Sequence, residues 1–327
     1  QLGSITPGHP EYRDTPGVET TTGPLGQGLA NAIGMAIAEK HLASVFNRPE
    51  FDLVDHRTYV FVGDGCLMEG ISHEACGLAG TLGLGKLIVV YDDNGISIDG
   101  DVKDWFTDNT SARFESYGWH VVDNIDGHNS QDIQKALEEA YTETDRPSIL
   151  CCKTKIGWGS PNKEGKASSH GAPLGLEEIE KTRENLQWYH PPFEIPIDTR
   201  DRWDARKVGQ EKENSWRKLF ERYKEKYPEA ASEFERTVEG QLPNTLDAAI
   251  SDFLKSLAEK EEKEASRKSS ERVLNVIGAN LPELLGGSAD LTGSNNTLHS
   301  SSRTFSKDSP SGNYIYYGVR EFAMSGV

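Results

Sequence analysis

Two strand-length apolar runs, residues 59–62 (YVFV) and 87–91 (LIVVY), stop abruptly on oxygen-bearing side chains. Gly63-Asp64-Gly65 follows the first and Asp92-Asp93-Asn94 follows the second. The connection between them is long enough for a helix, expected from about Met68 to Gly80. Parallel strands joined this way by a right-handed crossover end at the same edge of the sheet. Ligands of open α/β sheets bind just beyond that edge. Asp64 and Asn94 are therefore expected to meet at one spot, although 29 residues lie between them. Gly65 is expected to open the connecting helix, so that free backbone N–H groups and the positive end of the helix dipole face the same spot. Such a place takes a cation and an anion together. A hard cation such as Mg²⁺ accepts one or two protein carboxylates and completes its shell with phosphate oxygens.

The same alternation continues along the first half of the chain. A helix rich in Gly and Ala is expected over 25–46, its small side chains packed against the sheet or a partner. A strand is expected at 119–122, a helix at 130–143 with Ser130 as N-cap, and a strand at 148–153. The pattern predicts an α/β fold, a parallel sheet with helices on both faces. Residues 190–202 (HPPFEIPIDTRDR) are proline-rich and aperiodic and read as a linker. A charged helical stretch is expected over 207–264. Apolar texture returns at 265, as the start of a second α/β domain. The expected organisation is thus 1–189, 190–264 and 265–327. About 60 residues is short for a domain, so the chain is expected to be a piece of a longer protein.

Two other phosphate motifs fail. Gly63-Asp64-Gly65-Cys66-Leu67-Met68 has Met68 where a dinucleotide fingerprint needs its last glycine. The P-loop-like run from Gly80 to Lys86 has Leu87 in place of Ser/Thr and leads into a strand. The net charge of −17 argues against a nucleic-acid or anionic-membrane surface. No apolar run approaches the roughly 18 residues of a membrane span. Cys66, Cys76, Cys151 and Cys152 form no Cys-x-x-Cys pair and are expected to be free, mostly buried thiols, as in a reducing cytoplasm.

Gly63-Asp64-Gly65, followed after 28 residues by Asn94, resembles the metal–diphosphate motif of thiamine-diphosphate enzymes. Five further segments narrow the resemblance to transketolase, in the family's order. They are GHPEYRDTPGVETTTGPLGQG (8–28), IGWGSPNKEGKASSHGAPLG (156–175), ASRKSS (265–270), GGSADLTGSN (286–295) and YGVREFAM (317–324). The resemblance covers essentially the whole chain and about half of a typical member, from within the first domain to early in the second.

The resemblance implies thiamine diphosphate as cofactor, with Asp64, the Asn94 side chain and the Ile96 carbonyl on Mg²⁺ or Ca²⁺. Gly65 would approach the diphosphate, Gly23-Pro24-Leu25 would contact the cofactor, and Ile98 would pack against the thiazolium. Glu69 would link the cofactors across a homodimer. Glu321 matches the catalytic glutamate that hydrogen-bonds the aminopyrimidine; burial among Tyr316, Tyr317 and Phe322 is expected to raise its pKa. His9 and His170 resemble active-site histidines that contact the substrate, His170 the cofactor as well. Arg267 and Ser294 match the positions that hold the phosphate of the sugar acceptor, and Asp290 also belongs near the site.

The implied activity is transfer of a two-carbon ketol unit from a ketose phosphate to an aldose phosphate, in the pentose phosphate pathway of the cytoplasm. Family members place the cofactor between subunits, so Glu321 would serve the partner's cofactor. The chain alone is expected to be inactive or nearly so. A dihydroxyacetone synthase-like enzyme and a non-catalytic truncated binding module remain the alternatives.

Overall fold

The structure is a computed structural model and describes residues 3–5, 7–20, 23–259 and 263–327. Thr21 and Thr22 of the 8–28 segment, and 260–262 of the charged stretch, lie outside the described residues. The chain divides into two compact units.

The first unit comprises 1–36, 57–210 and 326–327. Its elements in chain order begin with α1 (Gln27–Phe46, which continues into the second unit), β1 (Thr58–Gly63), α2 (Asp64–Met68), α3 (Gly70–Leu82) and β2 (Leu87–Asp93). A small hairpin follows, β3 (Ile96–Ser97) with β4 (Gly100–Asp101). Then come α4 (Thr110–Ser116), β5 (His120–Asp126), α5 (Ser130–Thr142), β6 (Ser148–Lys153), α6 (Leu176–Asn185) and α7 (Ile197–Trp203). The main sheet runs β1-β2-β6-β5 and every pair is parallel. The fold is therefore the expected parallel α/β sheet. Gly63 lies level with Asp92, and Asp93 with Lys153, so the carboxyl ends form one edge.

β2 is covered on both faces, with Leu87, Ile88, Val89 and Tyr91 all buried, as suits an interior parallel strand. β1 is at the sheet margin, and its Tyr59 and Phe61 are exposed. On one face α5 contributes Ile133, Ala136, Leu137 and Ala140, spaced i, i+3, i+4, i+7, against Ile88, Ile125 and Leu150. Fully burying a side chain of Ile or Leu size contributes about 1.5–3 kcal/mol. Elsewhere Phe114 meets Trp119 edge to face at 5.0 Å, and the Trp119 indole donates to the Cys76 carbonyl at 2.9 Å.

Several local expectations are corrected. The connecting helix is two helices, because Glu69 is extended (φ −62°, ψ 134°) and starts a new one. Gly65 is the second residue of α2, which begins at Asp64 behind the extended Gly63. Ser130 is the first residue inside α5, and Asn129 caps it by accepting the Gln131 N–H at 3.0 Å. An Asn carboxamide reaches the free amides as readily as a Ser hydroxyl. β5 extends to Asp126 through an irregularity at 123–124, where Asn124 has φ +56°. Half of the expected linker is helical: α7 follows Pro196, with Asp198 in its first turn and Arg200 and Arg202 in its last, as the helix dipole favours. The small-residue face of α1 meets the chain's own 326–327 segment, with Asn31 donating to the Gly326 carbonyl at 2.9 Å.

α3 ends at Gly83, whose φ of +60° is left-handed and whose N–H closes on the Ala79 and Gly80 carbonyls. That turn directs the P-loop-like stretch into β2, as expected. All four cysteines are free; burial pushes the thiols of Cys76 and Cys151 up to about 12. Among the described residues no helix is long and apolar enough to cross a membrane.

The second unit comprises 37–56 and 211–325. The charged stretch forms three helices, α8 (Arg206–Lys226), α9 (Pro228–Val238) and α10 (Leu246–Ala258), separated at Pro228 and around Gly240 and Pro243. Inside this unit Phe220, Tyr223, Ala231 and Phe234 pack with Phe46, Phe51, Leu53 and Val54. The Tyr223 hydroxyl donates to the Phe46 carbonyl at 2.7 Å, which closes the cluster. α11 (Ser266–Asn280), β7 (Gly286–Ser288), α12 (Thr292–Asn295), β8 (Tyr314–Tyr316) and α13 (Glu321–Gly326) follow, β7 pairing parallel with β8.

Candidate functional site

At the carboxyl edge of the first unit, Asp64 is buried at 4% exposure. The Tyr91 hydroxyl donates to its Oδ1 at 2.6 Å and the Gly95 N–H to its Oδ2 at 3.1 Å. Burial pushes the Asp64 carboxyl above its ordinary range; the Tyr91 bond opposes this, the Asp93 charge adds to it and the Gly95 amide opposes it. Asn94 accepts the Ile96 N–H on Oδ1 at 3.0 Å and turns its Nδ2 toward Asp92 at 3.4 Å. These partners leave one orientation for the amide, carbonyl oxygen toward Ile96. The Thr154 hydroxyl in turn donates to Asp92, and Lys153 pairs with Asp93.

Leu25, Asp64, Gly65, Asn94, Ile96, Ile98 and His170 all line one cavity of about 1310 Å³. Ile98 stands at the tip of the β3–β4 hairpin, 77% exposed. The sequence expectation that Asp64 and Asn94 converge is met through segment 91–95, which supplies both donors to Asp64 and carries Asn94. The donors available are hard oxygens. Among the described residues no three His, Cys, Asp or Glu side chains gather into a metal nest. One carboxylate, one amide oxygen and one backbone carbonyl suit Mg²⁺ or Ca²⁺ completed by phosphate oxygens.

His170 follows a 3₁₀ turn at 167–169 and sits in an exposed loop with a buried anchor. Glu178 of α6 accepts from the Asn162 N–H at 2.8 Å, from Asn162 Nδ2 at 2.9 Å and from the Ser160 hydroxyl. These bonds hold its carboxyl down at about 2. The Lys163 ammonium bonds the Leu174 carbonyl at 2.9 Å and the Ser169 hydroxyl donates to the Lys163 carbonyl at 2.6 Å, on either side of His170.

Other candidates are placed differently. Gly23, Pro24 and Leu25 line an adjoining hollow of about 480 Å³, which shares Leu25, Tyr59, Phe61 and Cys66 with the main cavity. Gly26 follows at φ +83°, and a Cβ there would lie 2.7 Å from Ile71, so the turn requires glycine. His9 belongs to a third hollow, lined also by Ser4, Pro7, Glu11 and Arg13, its ring about 3.9 Å from where a Gly23 Cβ would stand. Glu69 is exposed at the break between α2 and α3 and does not line the main cavity.

Arg267, Asp290, Ser294 and Glu321 are carried by the second unit. Arg267 is in the first turn of α11, Ser294 in α12, and Asp290 has φ +59°. All three are exposed. Glu321 opens α13 and is exposed, with Phe322 74% and Tyr316 51% exposed, so the expected burial among aromatics is absent around it. The short helix turns Ala323 and Gly326 inward instead. Tyr317 alone of the three aromatics is largely enclosed, and burial raises its phenol.

Sequence reasoning missed Tyr91, Asp92 and Thr154, which hold the edge residues. It also missed His128, stacked on Trp158 at 3.9 Å, whose Nε2 accepts the Lys155 N–H at 3.0 Å beside the same cavity. Tyr91 reads as one more apolar strand residue, and only its hydroxyl and the parity of β2 signal more.

Residues 1–243 match the family described as transketolase, thiamine diphosphate binding domain, and 262–327 match transketolase, pyrimidine binding domain. The chain belongs to the transketolase family. It is 59% identical over its full length to transketolase 1 of Escherichia coli (strain K12) and 57% identical to transketolase 1 of Vibrio cholerae, covering 49% of each. Among solved structures it resembles transketolase from Leishmania mexicana (TM-score 0.91, 42% identity, all of this chain and 48% of that one). It equally resembles Pichia stipitis transketolase in complex with sedoheptulose 7-phosphate (TM-score 0.92, 42% identity, all of this chain and 49% of that one). The chain thus spans about half the length of the transketolases it matches.

Proposed function

We propose that this chain is part of a transketolase that moves a two-carbon ketol unit from a ketose phosphate, such as xylulose 5-phosphate, to an aldose phosphate, such as ribose 5-phosphate. The reading includes Mg²⁺ or Ca²⁺, a homodimeric parent protein, and the pentose phosphate pathway of the cytoplasm. It divides the chain into a diphosphate and metal domain (1–189), a linker with charged helices (190–264) and the start of a pyrimidine-binding domain (265–327). The observation that carries it is the meeting of Asp64, Asn94 and Ile96 in one cavity at the carboxyl edge of the sheet, within a segment matching the thiamine diphosphate binding domain.

Bound thiamine diphosphate supplies the electron sink for carbon–carbon bond cleavage. Asp64, the Asn94 side chain and the Ile96 carbonyl hold the cation; Gly65 and the first amides of α2 face the diphosphate. Gly23, Pro24, Leu25 and Ile98 shape the cofactor's bed, and Glu69 links cofactors between subunits. His170 contacts cofactor and substrate, His9 the substrate, and Arg267 and Ser294 the acceptor's phosphate through charge-assisted hydrogen bonds. Asp290 belongs near the site. Glu321 hydrogen-bonds the aminopyrimidine in the partner's site. This half-length chain by itself is inactive or nearly so.

The test is calorimetric titration of the chain with thiamine diphosphate, with and without Mg²⁺, beside Asp64→Ala. Mg²⁺-dependent binding that weakens at least about 100-fold in the variant supports the reading; loss of a group that merely orients a metal ligand already costs about 10–100-fold, and Asp64 is proposed as a ligand itself. Binding indifferent to both Mg²⁺ and Asp64 sinks it.

A further inference from the structure

We infer that Tyr91 is a positioning residue for the cation: its buried hydroxyl aims the Asp64 carboxylate. The inference rests on the proposed role of Asp64 as a ligand and deepens it.

Strand parity is the starting point. Tyr91 and Asp92 are neighbours on β2, so their side chains leave opposite faces of the sheet. Asp92 is exposed at the cavity and engages Asn94, whereas Tyr91 is 2% exposed. A Tyr hydroxyl buried in a strand needs a partner, and this one finds Oδ1 of Asp64, the first residue beyond β1, at 2.6 Å. The terminal torsion of an aspartate is soft and leaves the carboxylate plane free to turn. Here one donor reaches each oxygen, Tyr91 on Oδ1 and the Gly95 amide on Oδ2, and the plane is fixed. Each oxygen keeps a lone pair for a cation.

Both donors belong to the 91–95 segment that also carries Asn94. The two proposed side-chain ligands are thereby registered to each other by one strand end. The hydroxyl is suited to the task because an O–H facing a carboxylate oxygen makes a short, charge-assisted hydrogen bond. Removing it leaves the ring to fill the same space.

Cations differ in how much they need such aiming. Mg²⁺ demands near-ideal octahedral geometry, whereas Ca²⁺ accepts six to eight oxygens flexibly. Loss of the hydroxyl therefore penalises Mg²⁺ more than Ca²⁺, a difference that simple loss of stability would not produce.

The experiment titrates Mg²⁺ and, separately, Ca²⁺ into the 327-residue chain at fixed thiamine diphosphate, for the unaltered chain and Tyr91→Phe, with circular dichroism as the folding control. Expected is a folded variant whose Mg²⁺ midpoint rises about 10–100-fold, as for other groups that orient a metal ligand, with a smaller rise for Ca²⁺. An unchanged Mg²⁺ midpoint, or equal losses for both ions, overturns the role of Tyr91 and leaves the function standing. A Tyr91→Phe chain that does not fold makes the phenol a structural group and also overturns it. An unaltered chain that binds the cofactor with neither cation overturns the reading of Asp64, and this inference with it.

Discussion

The two histidine loops, 7–18 and 156–175, look alike in sequence, both rich in Gly, Pro and small polar residues, but they are held in different ways. Loop 156–175 is pinned from outside itself. Glu178 of α6 takes three donors from Ser160 and Asn162, and Asn185 Nδ2 donates to the Gly159 carbonyl at 3.1 Å. Loop 7–18 is shaped by turns over short sequence distances, such as the Thr15 N–H on the Glu11 carbonyl at 3.0 Å and the Thr15 hydroxyl on the Ile5 carbonyl at 2.6 Å. Every residue from 7 to 14 is exposed. A buried carboxylate eight residues beyond His170 anchors loop 156–175. The way a loop is held can thus depend on a residue outside its motif.

The comparison breaks most readily under protease. Trypsin is expected to cut at Arg13 on the order of 100-fold faster than at Lys163 or Lys166, because cleavage follows local opening. Comparable rates, read by mass spectrometry of the first fragments, would put the two loops on a par. A smaller effect comes from the anchor itself. Glu178→Ala should raise amide exchange across 157–175 about tenfold or more, since it strands three donors, and leave 7–18 unchanged. Equal change in both loops would mean a global loss of stability.

Acid produces the same perturbation without a mutation. Glu178 is held at about 2, against an ordinary value of 4.5. A depressed carboxyl contributes stability that is full above its unfolded pKa and lost as pH falls through its folded one. Protection of 157–175 should therefore hold down to about pH 4.5 and decline toward pH 2, while Glu178→Gln shows a smaller decline in that window, the part left to Glu164, which accepts the Gly159 N–H and is also lowered. Smallest of all, Thr15→Val should shift the melting free energy by less than about 0.5 kcal/mol, the scale of surface substitutions. A larger change would show that loop 7–18 also carries an anchor.

Much of the first unit was legible because its signals are local. Strand runs, the Gly-Asp-Gly stop and the oxygen-rich end of the second run all follow from period and turn chemistry within a few residues. Right-handed crossover then sufficed to bring Asp64 and Asn94 to one edge. The second unit was less legible. Its helices α8 and α9 are so charged that Phe220, Tyr223 and Phe234 read as incidental, yet they form an aromatic cluster with Phe46 and Phe51. Their partners lie on the far side of the whole first sheet in sequence, where helical periodicity does not reach.

Read alone, the sequence yielded the parallel sheet, the edge at which Asp64 and Asn94 meet, and the family. Those depend on backbone geometry and on residue types at short spacing. Only the tertiary structure decided which groups aim the site residues: the Tyr91 hydroxyl on Asp64, the Glu178 clamp under the His170 loop, and the extended Glu69 that splits one expected helix into two. A hydroxyl or carboxylate has the same sequence signature whether solvated or buried. Its role is set by the partner that folding brings within about 3 Å.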